Sequence, residues 1–377
     1  MPSKSLVRIG GVAAVLILVL SLLGTAALAS SPPGTDGDRI GPSEVTLASI
    51  LPVVTETGFI SLSVDGVGTN NPAGALVYVD KPAGATVRSA YAAAASTGSS
   101  QRMLVDGDVK LDGVDVTWDI STASSINSWN HWADVTTLVK PKIDAAAPGL
   151  VSFNVTEVNT GGIDGVVLAV IFNDPNQTVS NTVILLFGAQ DVAGDTFNIF
   201  LANPLDKSDP NLVIDMGLGI SYGFQPGSQV CLVDVNGERL TSSAGGQDDG
   251  ESADGALITV GGVGDSNDNP PPLAPPTSFN DPDDEMYNLL PFVEDGDTVI
   301  SIFTTNPSND DNIFFAWLYL QSVTADVKPP TRVAVGGHAH PISKSALLTL
   351  WIGFSAVIVT CAGLLVLRRR RAIEQSS

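Results

Sequence analysis

Two cysteines and three histidines in 377 residues leave little room for thiol or imidazole chemistry. Cys231 sits in a strand-like run and Cys361 in an apolar segment near the C-terminus, so the two fall on opposite sides of an interface and do not pair. A chain without disulfides must be held by its core, or by a metal. His338 and His340 fall in a Pro/Gly-rich stretch. His131 is then the one imidazole of the folded part, too few for a His-based zinc site or a Ser-His-Asp triad. It lies between Trp129-Asn130 and Trp132, in what reads as a surface loop.

Positive charge is also scarce. Lysine and arginine total 18 against 40 acidic residues, for a net charge of −22. With the two terminal segments described next and the flanking Lys344 set aside, 11 basic residues face 39 acidic ones. Such a field repels phosphate backbones and excludes nucleic acid as a partner. Apolar residues make up 44%, enough for a sizeable core.

The two ends set an address. Residues 1–29 carry Lys4 and Arg8, an apolar stretch from Val12 to Leu23, and Ala27-Leu28-Ala29, the layout of a signal peptide cleaved after Ala29. Residues 346–367 form a 22-residue run without charge, from Ala346 to Leu367. As a helix it spans roughly 33 Å, matching a hydrocarbon core of about 30 Å. Trp351 lies near its outer end, and Arg368 to Arg371 follow at once, so the tail 368–377 is expected in the cytoplasm. The expectation is a single-pass membrane protein whose N-terminal domain faces outward. Residues 30–44 read as a flexible lead-in and 327–345 as a Pro/Gly stalk.

Between these lies a β-rich domain, 45–326. Val151, Phe153 and Val155 alternate with Ser152, Asn154 and Thr156, and Phe197, Ile199 and Leu201 repeat the period of two. Apolar runs at Val166–Phe172, Val183–Phe187, Val299–Phe303 and Ile313–Leu320 predict strands buried on both faces. Asn236-Gly237 predicts a hairpin turn. Helix is scarce: one over Asp134–Ala147 with Asp134 as N-cap, and a turn at Met286–Leu290. Strands recurring without intervening helices predict an all-β fold, an antiparallel β-sandwich or jelly roll. One large sandwich and two fused near 159–164 both fit.

The densest chemistry is in Leu240–Val327, with 16 acidic residues and no basic one in 88. The acids bunch in four loops: Asp248, Asp249 and Glu251; Asp265, Asn267, Asp268 and Asn269; Asp283, Asp284 and Glu285; Asp310 and Asp311. Ca²⁺ takes six to eight oxygens from this menu of carboxylates, amides and carbonyls. The alternation Asp265, Asn267, Asn269 resembles the first half of a calcium loop, without the glycine and bidentate glutamate of an EF-hand. A calcium site and a solvated acidic rim both stay open. Asp106, Asp108, Asp112 and Asp115 read as turn residues of two hairpins.

Enzyme signals are weak. Gly219-Ile220-Ser221-Tyr222-Gly223 matches G-x-S-x-G, yet its flanks read as strand and no histidine of the folded part follows it. Glycosidase chemistry needs only two carboxylates, but no isolated acid is paired with an aromatic-lined cleft. Trp118, Trp129 and Trp132 suit a sugar-stacking platform or ordinary core packing.

Asn130-His131-Trp132-Ala133-Asp134-Val135-Thr136, Val166–Phe172 and Asn312-Ile313-Phe314-Phe315, taken in order over residues 75–320, resemble surface-anchored prokaryotic β-sandwich ectodomain proteins. The resemblance implies the fold and carries no catalytic residue. The expectation is a non-catalytic structural or adhesive protein of the cell surface, with envelope proteins or surface glycans as partners and calcium stiffening as an option. The alternative is a carbohydrate-binding or carbohydrate-cleaving ectodomain.

Overall fold

Every pair of neighbouring strands in the computed structural model is antiparallel. The structure describes residues 49–68, 73–97, 102–158, 162–191, 193–221, 231–245, 258–273, 285–309 and 312–326. The leader, the stalk, the apolar run 346–367 and the arginine tail lie outside the described residues. Among the described residues no helix is long and apolar enough to cross a membrane.

Four sheets form two sandwiches. In the first, an inner sheet runs β2 (Ile60–Val67), β10 (Ile163–Asn173), β4 (Thr86–Ser96), β8 (Trp129–Asp134), β7 (Ile120–Ala123). Its outer sheet runs β3 (Ala75–Lys81), β9 (Gly149–Glu157), β5 (Val109–Leu111), β6 (Val114–Asp115). The second sandwich has an inner sheet of β1 (Leu51–Gly58), β11 (Asn181–Phe187), β19 (Asn312–Gln321), β13 (Val213–Ser221) and β16 (Ile258–Val260), with β17 (Met286–Asn288) also on β13. Its outer sheet runs β15 (Glu238–Ala244), β14 (Cys231–Val235), β18 (Val299–Thr305), β12 (Asp195–Leu201), β20 (Ala325–Asp326).

The two sandwiches share one connectivity. Counting from β2 and from β11, the inner orders β2-β10-β4-β8 and β11-β19-β13-β16 correspond. So do the outer orders β3-β9-β5-β6 and β12-β18-β14-β15. This is the two-sheet order of a jelly roll. The segment around 159–164 joins β9 to β10 within the first sandwich; the chain passes to the second between β10 and β11. β1 precedes the first sandwich in sequence yet pairs with β11, Leu51 opposite Phe187 and Gly58 opposite Asn181.

Alternation along single strands places three cores. In β10, Val166, Leu168, Val170 and Phe172 face the outer sheet of their own sandwich, while Val167, Ala169 and Ile171 face the other sandwich. In β11, Val183, Leu185 and Phe187 join them, while Ile184 and Leu186 turn to the second sandwich's own core. The layers therefore run outer, inner, inner, outer. Both faces of the inner strands are covered, which is why β10, β11 and β19 read as unbroken apolar runs. Each fully buried Val, Leu, Ile or Phe contributes about 1.5–3 kcal/mol.

Val299–Phe303 departs from the expectation. It lies in β18 of an outer sheet, where Phe303 is 37% exposed and alternate residues face water. An isolated apolar run does not by itself separate these two situations. The helix, α1 (Thr136–Ala145), starts one residue later than expected, with Val135 at the N-cap. Asp134 ends β8 and its Oδ1 accepts the Thr136 N–H at 2.9 Å. Met286–Leu290 is not a helical turn: Met286–Asn288 pair with β13, and the 3₁₀ turn spans Leu290–Phe292. The Asn236-Gly237 hairpin has both residues at positive φ, 51° and 84°, as a type I′ turn requires.

Candidate functional site: a cleft between the sandwiches

A cleft of about 380 Å³ opens where the edges of the two inner sheets meet. One wall is Leu62, Ser63 and Val64 of β2, with Asp80 of β3 and Pro82. The other is Asp215 of β13, Met286 of β17, and Trp317 and Tyr319 of β19, with Gly262, Val263 and Gly264 between them. The volume falls within the range that holds a small ligand.

Backbone approach brings the walls together. The Val263 N–H donates to Val64 O at 2.8 Å, linking the sandwiches directly. A Cβ on Gly262 would lie 2.1 Å from Val64 O, so the approach requires glycine there. Gly217, opposite Trp317 in the ladder, has the same role for a side chain: its Cβ would lie 2.0 Å from the indole nitrogen. The indole therefore lies flat across β13 and donates Nε1–H to Gly261 O at 2.8 Å.

The cleft is rich in acceptors. Burial pushes the Asp215 carboxyl above the usual carboxylate range, against the Asn267 amide that donates to its Oδ1 at 3.0 Å. Burial, with the charges of Asp174 and Asp215, pushes the Tyr319 phenol up to about 12, so it stays protonated. Its oxygen accepts from Asn181 Nδ2 at 2.9 Å. Asp80, exposed on the facing wall, donates its N–H to Ser63 Oγ at 2.9 Å. Such a surface suits a ligand with hydroxyl or ammonium donors and an apolar face.

The acidic loops are placed only in part. Asp248, Asp249, Glu251, Asp283, Asp284, Asp310 and Asp311 lie outside the described residues. The Asp265, Asn267, Asn269 side chains go to three different places. Asp265 Oδ2 accepts the Gly262 N–H at 2.7 Å and Asn267 holds Asp215. Asn269 pairs with the backbone of Asn288, donating at 2.8 Å and accepting at 2.9 Å. The Asp268 N–H donates to Ser266 Oγ at 3.1 Å. Glu285 is fully buried, taking the Gly245 N–H at 2.7 Å and the Thr259 hydroxyl, and so fastens β15 to β16. Among the described residues no three or more His, Cys, Asp and Glu side chains are grouped to hold a metal.

Four other expectations meet the geometry. His131 is not in a loop: it is fully buried in β8, between Ser121 Oγ on Nδ1 at 2.8 Å and the Leu104 N–H on Nε2 at 3.1 Å. An Nε2 that accepts fixes the neutral tautomer, and burial lowers the imidazole pKa to about 3. Trp118 and Trp132 form no platform, and Trp129, at the start of β8, is half-buried. Trp118 and Trp132 are 3% and 5% exposed, and Trp132 stacks on Tyr91 at 5.1 Å and meets Phe187 and Phe315 in the shared core. Ser221 ends β13, buried, its Oγ accepting from Asn312 Nδ2, which also donates to Asn130 Oδ1 at 2.9 Å. Asp112 sits at the β5–β6 hairpin turn, with φ 49°, as the turn reading expected.

No family model matches the chain, and no curated protein matches it. A solved structure of PNGF-II aligns at 10% identity with a TM-score of 0.23, over 78% of this chain and 64% of that one. At that TM-score the likeness bears on neither fold nor function.

Proposed function

We propose that this chain is a non-catalytic, surface-displayed binding protein whose ligand site is the cleft between the two sandwiches. In this reading the leader exports it, residues 346–367 anchor it in the bilayer, and 45–326 face outward as a jelly-roll pair. The ligand is a glycan: its hydroxyls donate to Asp80, Asp215 and the Tyr319 oxygen, and its apolar face lies against Met286 and the Trp317 edge. The observation that carries the reading is the cleft itself, two carboxylates on opposing walls beside aromatic and thioether side chains. Calcium remains a proposal for the loops at 248–251, 283–284 and 310–311.

The test is a glycan array with the purified full chain, repeated with Asp215→Asn and Asp80→Asn. The reading expects glycan signals that fall at least about tenfold in either variant, a loss of about 1.4 kcal/mol. Silence of the wild type across the array, or binding indifferent to both substitutions, would remove it. Carbohydrate cleavage is the second reading, favoured by the asymmetry of the two acids: Asp215 is drawn toward its protonated form, and Asp80 is exposed. It expects hydrolysis by the wild type that stops in Asp215→Asn.

A further inference from the structure

Away from the cleft, at one end of the first sandwich, two carboxylates are buried side by side. Glu157 closes β9 opposite Val109 of β5 and is 4% exposed. Asp164, the second residue of β10, is fully buried. It falls at an irregularity of the ladder, where Ile163 pairs with Ser96 and Gly165 with Ala95, so Asp164 is left out of register. The two side chains are close enough that Asp164's charge, after burial, helps raise the Glu157 carboxyl well above its ordinary range.

Glu157 has no answer from the described protein. Both of its carboxylate oxygens are buried without a hydrogen-bond partner, and it enters none of the ion pairs of the described residues. The nearby Asp108 shows the contrast: its Oδ2 takes Arg102 at 2.6 Å and the Val105 N–H at 2.9 Å, so that arginine already has a carboxylate. A buried charge left without a partner costs several kcal/mol. Thr97 is also buried, its N–H on Gly162 O at 3.2 Å, two residues before Asp164. Carboxylates, a hydroxyl and backbone carbonyls are hard oxygen ligands. Calcium completes its shell from such groups and from water, and does not need a third acid.

We infer that Glu157 and Asp164 form a divalent-cation site, of the calcium type, that locks the end of β9 to the start of β10. The site shares no residue with the cleft or with the acidic loops, so it stands or falls independently of the glycan reading. Its role is to neutralise the pair and fix one rim of the first sandwich.

The test is the melting temperature of the full chain, in calcium and in chelator, for the wild type, Glu157→Gln, Asp164→Asn and the control Asp248→Asn/Asp249→Asn. Calcium at a hundredfold excess over its Kd is expected to raise the wild-type melting temperature by about 5 °C or more. That shift should vanish in Glu157→Gln and Asp164→Asn and persist in the loop control. Glu157→Gln, relieved of like-charge repulsion, should melt higher than wild type in chelator, which guards against a merely misfolded variant. Titration calorimetry of calcium into the wild type gives a second reading, one tight site that disappears with Glu157→Gln. A wild-type melting temperature indifferent to calcium, a shift that survives Glu157→Gln, or a shift abolished only in the loop control would each overturn the assignment.

Discussion

β4 and β13 hold the same place in the strand order of their sandwiches and have almost nothing else in common. β4 is an alanine run, Ala92 to Ala95; β13 alternates glycine with bulk in Met216-Gly217-Leu218-Gly219. On the faces toward their own outer sheets they differ freely, Ala92 and Ala94 against Met216 and Leu218. Toward the shared core both present small residues. Ala93 and Ala95 lie in the core that contains Trp132, and a Cβ on Gly217 or Gly219 would meet Trp317 or Phe315. Five large aromatic side chains, Trp132, Phe187, Phe314, Phe315 and Trp317, fill the space between the inner sheets. Interiors are packed to near-crystalline density, so the strands facing such bulk must be thin.

The sandwiches also answer their carboxylates differently. In the first, four acids pair with its own Lys or Arg: Asp108, Asp112, Asp115 and Asp144. Glu56 of β1 reaches across to Arg88 of β4, and within the second sandwich Arg239 with Asp234 is the one such pair among the described residues. Other acids there accept backbone N–H groups within turns, as Asp206 does from Ser208 and Asp209 from Asn211, both at 2.8–2.9 Å. Hydrogen bonds, first of all from the Ser208 and Ser322 hydroxyls, hold the Asp206 and Asp209 carboxyls below the usual range. Acid density is thus partly turn chemistry, and it is a weaker pointer to metal than a single buried carboxylate without a donor.

The largest effect should come from the shared core. Trp132→Ala removes an indole packed against Tyr91, Phe187 and Phe315 and is expected to cost about 3–5 kcal/mol in chemical denaturation. Phe303→Ala on the exposed outer face should cost much less. Acid comes next. The folded pKa of His131, about 3, lies below its ordinary 6.5, so the unfolded chain binds a proton that the folded chain refuses. Its share of stability is complete above pH 6.5 and falls by about 1.4 kcal/mol per pH unit from there toward 3. His131→Gln should flatten that slope, and an unchanged slope would contradict the buried neutral tautomer. Gly217→Ala should cost about 1–3 kcal/mol through overpacking against Trp317, and should alter the cleft. Smallest is Lys142→Ala, expected to cost under about 1 kcal/mol, because its pair with Asp112 at 2.6 Å is exposed. That loss should shrink with salt, whereas Asp206→Ala, which removes a backbone cap, should be insensitive to it.

Much of the fold was legible residue by residue. The unbroken runs of β10, β11 and β19, the alternation of β9 and β12 and the Asn236-Gly237 turn all follow from local pattern. What local pattern could not convey was partnership. An alanine run has helical preference, and only burial between two sheets makes Ala90–Ala95 a strand. His131 and Asn130 look like loop residues because their partners, Leu104, Ser121 and Asn312, are distant in sequence. The cleft was invisible for the same reason: its walls come from residues 62 to 319, with no common spacing. Glu157 carried no motif at all, only the lack of a donor in three dimensions.

The cleft keeps its shape only if the two sandwiches are one cooperative body joined through their inner sheets. Amide hydrogen exchange of the full chain tests this most directly. Amides of β10 in the first sandwich and of β11 and β19 in the second should exchange with a single, slowest opening free energy, and Trp132→Ala should lower all three together. Two separate opening free energies, one for each sandwich, with Trp132→Ala moving only the first, would contradict it.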